Sequence, residues 1–163
     1  MSAFEQPRFE NELNAPGEAL LPHRPPFLFV DRLMSVDATG SVGEFTYRPG
    51  EFCYLVDAPD GGAPLIPGTV IIESMSQVAG AGMVAHGFVG GKDKEAVFAF
   101  AAVDSARFLS PVRLGDTLVT VVGHDKVRKP LGVFSLRGYV NGELVAEAKV
   151  KCMLSERAKA KEA

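Results

Sequence analysis

Glu73 and Gln77 stand four residues apart in PLIPGTVIIESMSQVAGAG, residues 64–82. On a helix that spacing sets a carboxyl and a carboxamide one above the other. The Pro67-Gly68 step reads as a turn into the helix, and a helix that begins there points its first amides outward toward negative charge. Ile72, Met75 and other apolar residues surround the acid. A carboxyl in such surroundings can serve as a proton donor, and Gln77 one turn on can hold it. The plain alternative is an acid near a helix N-terminus, worth about 0.3–1 kcal/mol. A helix apolar on nearly every side weighs against that, because an unpaired buried carboxylate is costly.

Few other side chains offer chemistry. Cys53 and Cys152 form no Cys-x-x-Cys pair and no disulfide-dense pattern. Histidines and cysteines show no metal-ligand spacing, so neither a metal nor a cofactor is expected. His86 follows Glu73 by 13 positions, roughly 20 Å along a helix at ~1.5 Å per residue, which is too far to share a site within one chain. A formal charge of −3 and a pI near 5.6 provide no basic field for nucleic acid or an anionic membrane. No unbroken apolar run of about 18 residues suggests a membrane span. The polar, acidic opening MSAFEQPRFENELN does not read as a signal peptide. A soluble cytoplasmic protein is the expectation.

The elements that must position Glu73 follow from the pattern. The helix should run from Thr69 to His86, buried because its apolar residues wrap most of its circumference. Ala79, Gly80, Ala81 and Gly82 would let a sheet come close. GEALL, residues 17–21, reads as a short helix ending at Pro22, and Phe27–Val36 as a strand. Thr39-Gly40 suggests a turn, VGEFTY a returning strand, and residues 49–67 a Pro-, Gly- and Asp-rich loop. Four strand stretches follow, AVFAFAAVDSARFL, DTLVTVVGHDKV, VFSLRGYV and ELVAEAKVKCML, and the apolar start of the first predicts burial on both faces. Asn141-Gly142 signals a hairpin. In the last strand Leu144, Ala146, Ala148, Val150 and Cys152 should face inward. The sum is one α+β domain over residues 1–163, with 1–15 and 155–163 loosely ordered. Five or six mostly antiparallel strands wrap one helix, whose remaining side meets another sheet or subunit.

LLPHRPPFLFVDRL, PLIPGTVIIESMSQVAG, FAFAAVDSARFLSPVRLGD and GYVNGELVAEAKVKCML occur here in this order. Together they resemble the beta-hydroxyacyl-acyl carrier protein dehydratases of the hotdog fold, over roughly residues 20–154. The resemblance implies an antiparallel sheet wrapped around a central helix. It also implies homodimers with sites at the dimer interface, and trimers of those dimers. The implied reaction dehydrates 3-hydroxyacyl thioesters of acyl carrier protein or coenzyme A in fatty acid or related biosynthesis. By resemblance Glu73 is the catalytic acid, Gly68 supplies the amide that receives the thioester carbonyl, and Gln77 is the glutamine one turn later.

The family's second catalytic residue is a histidine in a His-Phe-Pro stretch shortly before the Pro-Gly turn. Here the corresponding stretch is YLVDAPDGGAPLIPG. An ungapped match puts Pro59 in the histidine's place. Two extra residues in DGGA put Asp57-Ala58-Pro59 there, making Asp57 a substitute base. His23 matches a family segment outside the catalytic pair and reads as structural. Three readings stay open: a dehydratase using Glu73, Gly68 and Asp57; a hotdog thioesterase; and a non-catalytic acyl-binding or heteromeric partner. Phe98, Phe100, Phe108 and Phe134 are either acyl-tunnel lining or plain core. Arg107, Arg113, Lys126, Arg128 and Lys129 are either a carrier-protein patch or a solvated edge, the latter favoured by the charge pattern.

Overall fold

A computed structural model describes residues 5–50, 55–90 and 94–158. The elements run β1 (Asn11–Pro16), α1 (Gly17–Leu20), β2 (Arg32–Val36), β3 (Gly40–Thr46), α2 (Gly68–Ala85), β4 (Lys94–Phe108), β5 (Thr117–Arg128), β6 (Leu131–Val140) and β7 (Glu143–Ala158). The seven strands make one antiparallel sheet in the order β1-β2-β3-β5-β6-β7-β4. The sheet packs on α2 through β2 to β7. This is the α+β hotdog arrangement.

The buried helix forms as its composition demands. Ile71 and every residue from Ser74 to Met83 are buried. Ser74 and Tyr47 resolve the polar problem this creates. The Ser74 hydroxyl donates to the Val70 carbonyl at 2.9 Å and accepts from the Tyr47 hydroxyl at 2.9 Å. Burial holds the Tyr47 phenol well above its ordinary range. The helix stops at Gly87, whose φ of +80° suits glycine. The Phe88 amide then returns to the Met83 carbonyl at 2.9 Å. Gly82 permits the closest approach of the sheet: a Cβ there would lie 2.5 Å from Ser41 Oγ.

Turn chemistry is also as expected. Asn141 (φ +50°) and Gly142 (φ +81°) close the β6–β7 hairpin with both central residues in the left-handed region. At the β2–β3 turn the Asp37 carboxylate accepts from the Thr39 amide at 2.6 Å and the Gly40 amide at 3.2 Å. Its hydrogen bond from the Thr39 hydroxyl, chief among several, holds this carboxyl below the usual range.

Four expectations need correction. The strand foreseen at Phe27 begins only at Arg32, because the backbone of residues 27–29 is bonded to a side chain of α2 instead. Residues 11–15 are strand rather than loose, since β1 pairs along β2; at the other end β7 continues to Ala158, opposite Lys94. The start of β4 is not buried on both faces. Phe100 and Val103 are exposed because β4 is the last strand of the sheet and has β7 alone as neighbour among the described residues. In β7 Val145 replaces Leu144 as a buried residue. The register slips between Gly138 and Tyr139, so Ala146 and Leu144 pair across and Val145 is the extra residue of a bulge. Ala146, Ala148, Val150 and Cys152 do face inward.

His124 lies beside the C-terminal half of α2, edge-on to Phe134 and 3.3 Å from Ser41 Oγ. Burial pushes its imidazole down to about 4 from 6.5. A depressed folded-state value means the unfolded chain takes up the proton first as pH falls. Stability should therefore drop as pH passes from about 6.5 to about 4. Urea midpoints across that window should fall less steeply for His124→Gln than for the wild type.

Candidate active site

The start of α2 is fixed by backbone pairing with residues 112–114. The Ile66 amide donates to the Val112 carbonyl at 2.8 Å, and the Leu114 amide to the Pro64 carbonyl at 2.9 Å. Arg113 reinforces the loop, donating to the Ala63 carbonyl at 3.0 Å and to Asp60 at 2.6 Å. Pro67 then enters the helix from an extended conformation. Its carbonyl receives the Val70 and Ile71 amides, and no acceptor among the described residues takes those of Gly68 and Thr69. The half-exposed Phe108 ring stands over Gly68, where a Cβ would meet it at 2.7 Å.

One and a half turns on, Glu73 projects toward β4 and β7. Its side chain is 19% exposed, and the cavity it lines also takes in Leu21, His23, Gln77, Phe98 and Cys152. The volume is about 30 Å³, room for about one water molecule. Phe100, 44% exposed at the rim, is the ring a larger ligand would have to displace. Larger clefts lie elsewhere and hold no comparable group; in one of about 530 Å³, Asp31 and Arg48 pair with each other at 2.9 Å.

Gln77 is the centre of the polar contacts. Its Oε1 accepts from the Phe29 amide at 2.7 Å. Its Nε2 donates to the Phe27 carbonyl at 3.0 Å and to Glu73 Oε1 at 2.9 Å. One buried carboxamide therefore orients the acid and pins the chain entering β2. That same segment carries His23, whose Nε2 lies 4.0 Å from Glu73 Oε1. Arg24 steadies it by donating to the Leu21 and His23 carbonyls at 2.9 and 2.7 Å. His23 thus sits in the cavity beside Glu73. The chain gives no spacing signal for this, since the two residues lie 50 positions apart and meet only through tertiary packing.

The other candidates fall as follows. Asp57 is exposed on the loop before α2 and does not line the Glu73 cavity. Cys53 lies outside the described residues. Cys152 is a buried free thiol pushed up to about 12, by burial first and then by the Glu73 charge; it is no nucleophile at neutral pH. Phe98 and Phe100 line the cavity, whereas Phe134 is fully buried core. Arg107, Arg113 and Lys129 are paired with Glu147, Asp60 and Glu156, so three of the five foreseen basic residues form no free patch. Among the described residues, no cluster of His, Cys, Asp and Glu could hold a metal ion, and no helix is long and apolar enough to cross a membrane.

Residues 21–149 match the FabA-like domain model. The chain belongs to the FabA-like family. A 3-hydroxyacyl-[acyl-carrier-protein] dehydratase FabZ of Syntrophotalea carbinolica is 40% identical over 139 residues, covering 85% of this chain and 91% of the relative. The FabZ of Thermomicrobium roseum is 37% identical over 134 residues, covering 82% and 86%. In fold, this FabA-like chain superposes on a chain of the dehydratase heterocomplex ApeI:P from Xenorhabdus doucetiae with a TM-score of 0.71 at 15% identity, covering 88% and 93%. A mutant thioesterase from Pseudomonas aeruginosa gives a TM-score of 0.55 at 15% identity, covering 77% and 81%. The fold is thus shared by both activities, while the sequence relatives carry the dehydratase name.

Replacing Gln77 by Leu would strip the Phe29 amide and the Phe27 carbonyl of their partner. At about 1–3 kcal/mol for a buried group left unsatisfied, the variant should lose about 2–4 kcal/mol of stability. Urea unfolding measures it directly.

Proposed function

We propose that this protein is a 3-hydroxyacyl-acyl carrier protein dehydratase, eliminating water from a 3-hydroxyacyl thioester to leave a trans-2-enoyl thioester. The observation that carries the reading is Glu73, held by Gln77 in a mostly apolar cavity five residues after a helix start with unclaimed amides. Its sequence relatives named as dehydratases support the same activity. Elimination needs a base at C2, donors for the enolate-like oxygen, and an acid for the departing hydroxyl. Glu73 is the acid. The Gly68 amide, backed by the helix dipole, receives the thioester carbonyl. Gln77 holds the acid in place. Asp57 enters this site as a base only if a second chain brings it there. The reaction proceeds with no metal and no cofactor, in the cytoplasm, on thioesters of acyl carrier protein.

The working form is a homodimer paired through β4. This strand ends the sheet, and it exposes Phe100, Val103 and Phe108 along an apolar edge. A second copy is the occupant whose own β4 matches it in length and apolar character, and pairing would cover the rim of the Glu73 cavity as well. Placing a charge at this edge with Val103→Lys should yield monomers in analytical ultracentrifugation, where the wild type sediments as a dimer or a multiple of it.

Activity is followed by the absorbance of the enoyl thioester formed from a short 3-hydroxyacyl thioester. Glu73→Gln should cut turnover by about 100-fold or more, the usual scale for losing a general acid. An unchanged rate would remove Glu73 from the chemistry. Release of free thiol without enoyl formation would assign the protein to the thioesterases instead.

A further inference from the structure

The dehydratase reading leaves its base unassigned within one chain, and the geometry points to His23. We propose that His23 Nε2 is the group that removes the C2 proton, so that base and acid of the elimination come from the same chain. The inference rests on the proposed dehydratase activity and names the missing partner of Glu73.

Three observations carry it. First, His23 and Glu73 line one cavity, with Nε2 4.0 Å from Oε1. That is beyond a hydrogen bond, so neither group is consumed by the other. Both groups face the same small cavity, which a C2–C3 unit enters once the Phe100 ring at its rim is displaced. Second, the ring presents a single working nitrogen. His23 Nδ1 is enclosed and has no hydrogen-bond partner among the described residues, so Nε2 is the atom that can meet a ligand. Third, the position is built. Arg24 ties the carbonyls on either side of Pro22, those of Leu21 and His23, and Gln77 fixes residues 27–29 to the same carboxamide that orients Glu73. The only charged group that the fold sets against Nε2 among the described residues is Glu73 itself. Asp57, the residue aligned with the family's histidine, is exposed and outside the cavity.

The step balances without any further reactant. The Nε2 lone pair takes a proton from C2, and the C–H electrons move into an enolate whose oxygen faces the Gly68 amide. The C3–O bond then breaks as the Glu73 carboxyl gives its proton to the departing hydroxyl, which leaves as water. The water released in the step bridges the two groups and relays the proton from His23 Nε2 to the Glu73 carboxylate, restoring both.

The test compares wild type, His23→Gln, His23→Ala and Asp57→Asn on a short 3-hydroxyacyl pantetheine thioester, reading enoyl absorbance. Circular dichroism confirms that each variant is folded. His23→Gln should lose about 100-fold or more in kcat, as loss of a general base does, with KM changed by less than about threefold. Added imidazole should restore part of the turnover of His23→Ala, which a structural role would not allow. Turnover of His23→Gln within a few-fold of wild type, together with loss in Asp57→Asn, overturns the inference and hands the base to a second chain, leaving the proposed activity standing. A wild type inert on carrier-protein and coenzyme A thioesters alike overturns the dehydratase reading itself, and this inference with it.

Discussion

The arrangement depends on one carboxamide. Gln77 is almost fully buried, and burying a primary amide is costly unless its donors and acceptor are satisfied. Here they are satisfied by the backbone of residues 27–29, which lies outside the sheet, and by Glu73. The contact does two things at once. It ends the competition between strand and loop before β2, and it gives the largely buried Glu73 carboxyl a fixed direction. His23 comes to the site as a consequence, because it lies on the same anchored segment.

The helix that carries Gln77 could not stand alone. Glycines at 80 and 82 are weak helix formers, each costing about 0.5–1 kcal/mol against alanine. Their return is proximity: Ser41 of β3 approaches Gly82 so closely that a methyl group would collide with it. The sheet encloses most of α2 but leaves an apolar edge at β4. That edge and the rim of the Glu73 cavity lie together at Phe100, so the dimer proposed through β4 would also cover the cavity.

Much of this was legible in the sequence. An all-round apolar stretch predicted a buried helix within one residue of its observed limits, and Asn141-Gly142 predicted its hairpin because the required backbone angles admit few residues. Glu73 stood out as an acid in an otherwise apolar helix, and the roles expected of Gly68 and Gln77 came from the family resemblance. What escaped was set by tertiary contacts. The apolar run of β4 looks the same whether a second neighbour is present or not, so its exposure could not be read from composition. The bulge at Val145 shifts the burial phase without any turn residue to announce it. Residues 27–29 have the apolar, aromatic character of a strand, yet their backbone groups go to a glutamine 48–50 positions away. His23 read as structural for the same reason: nothing local in the sequence links it to Glu73.

The account's central claim is that one chain's His23 and Glu73 flank the reacting carbons. A crystal structure with a bound trans-2-enoyl pantetheine thioester tests this most directly. The claim predicts C2 within reach of His23 Nε2, C3 beside Glu73, both from one protomer, and the thioester oxygen on the Gly68 amide. An acyl group that places C2 against Asp57 of a second chain, or that lies outside the Glu73 cavity, would contradict it.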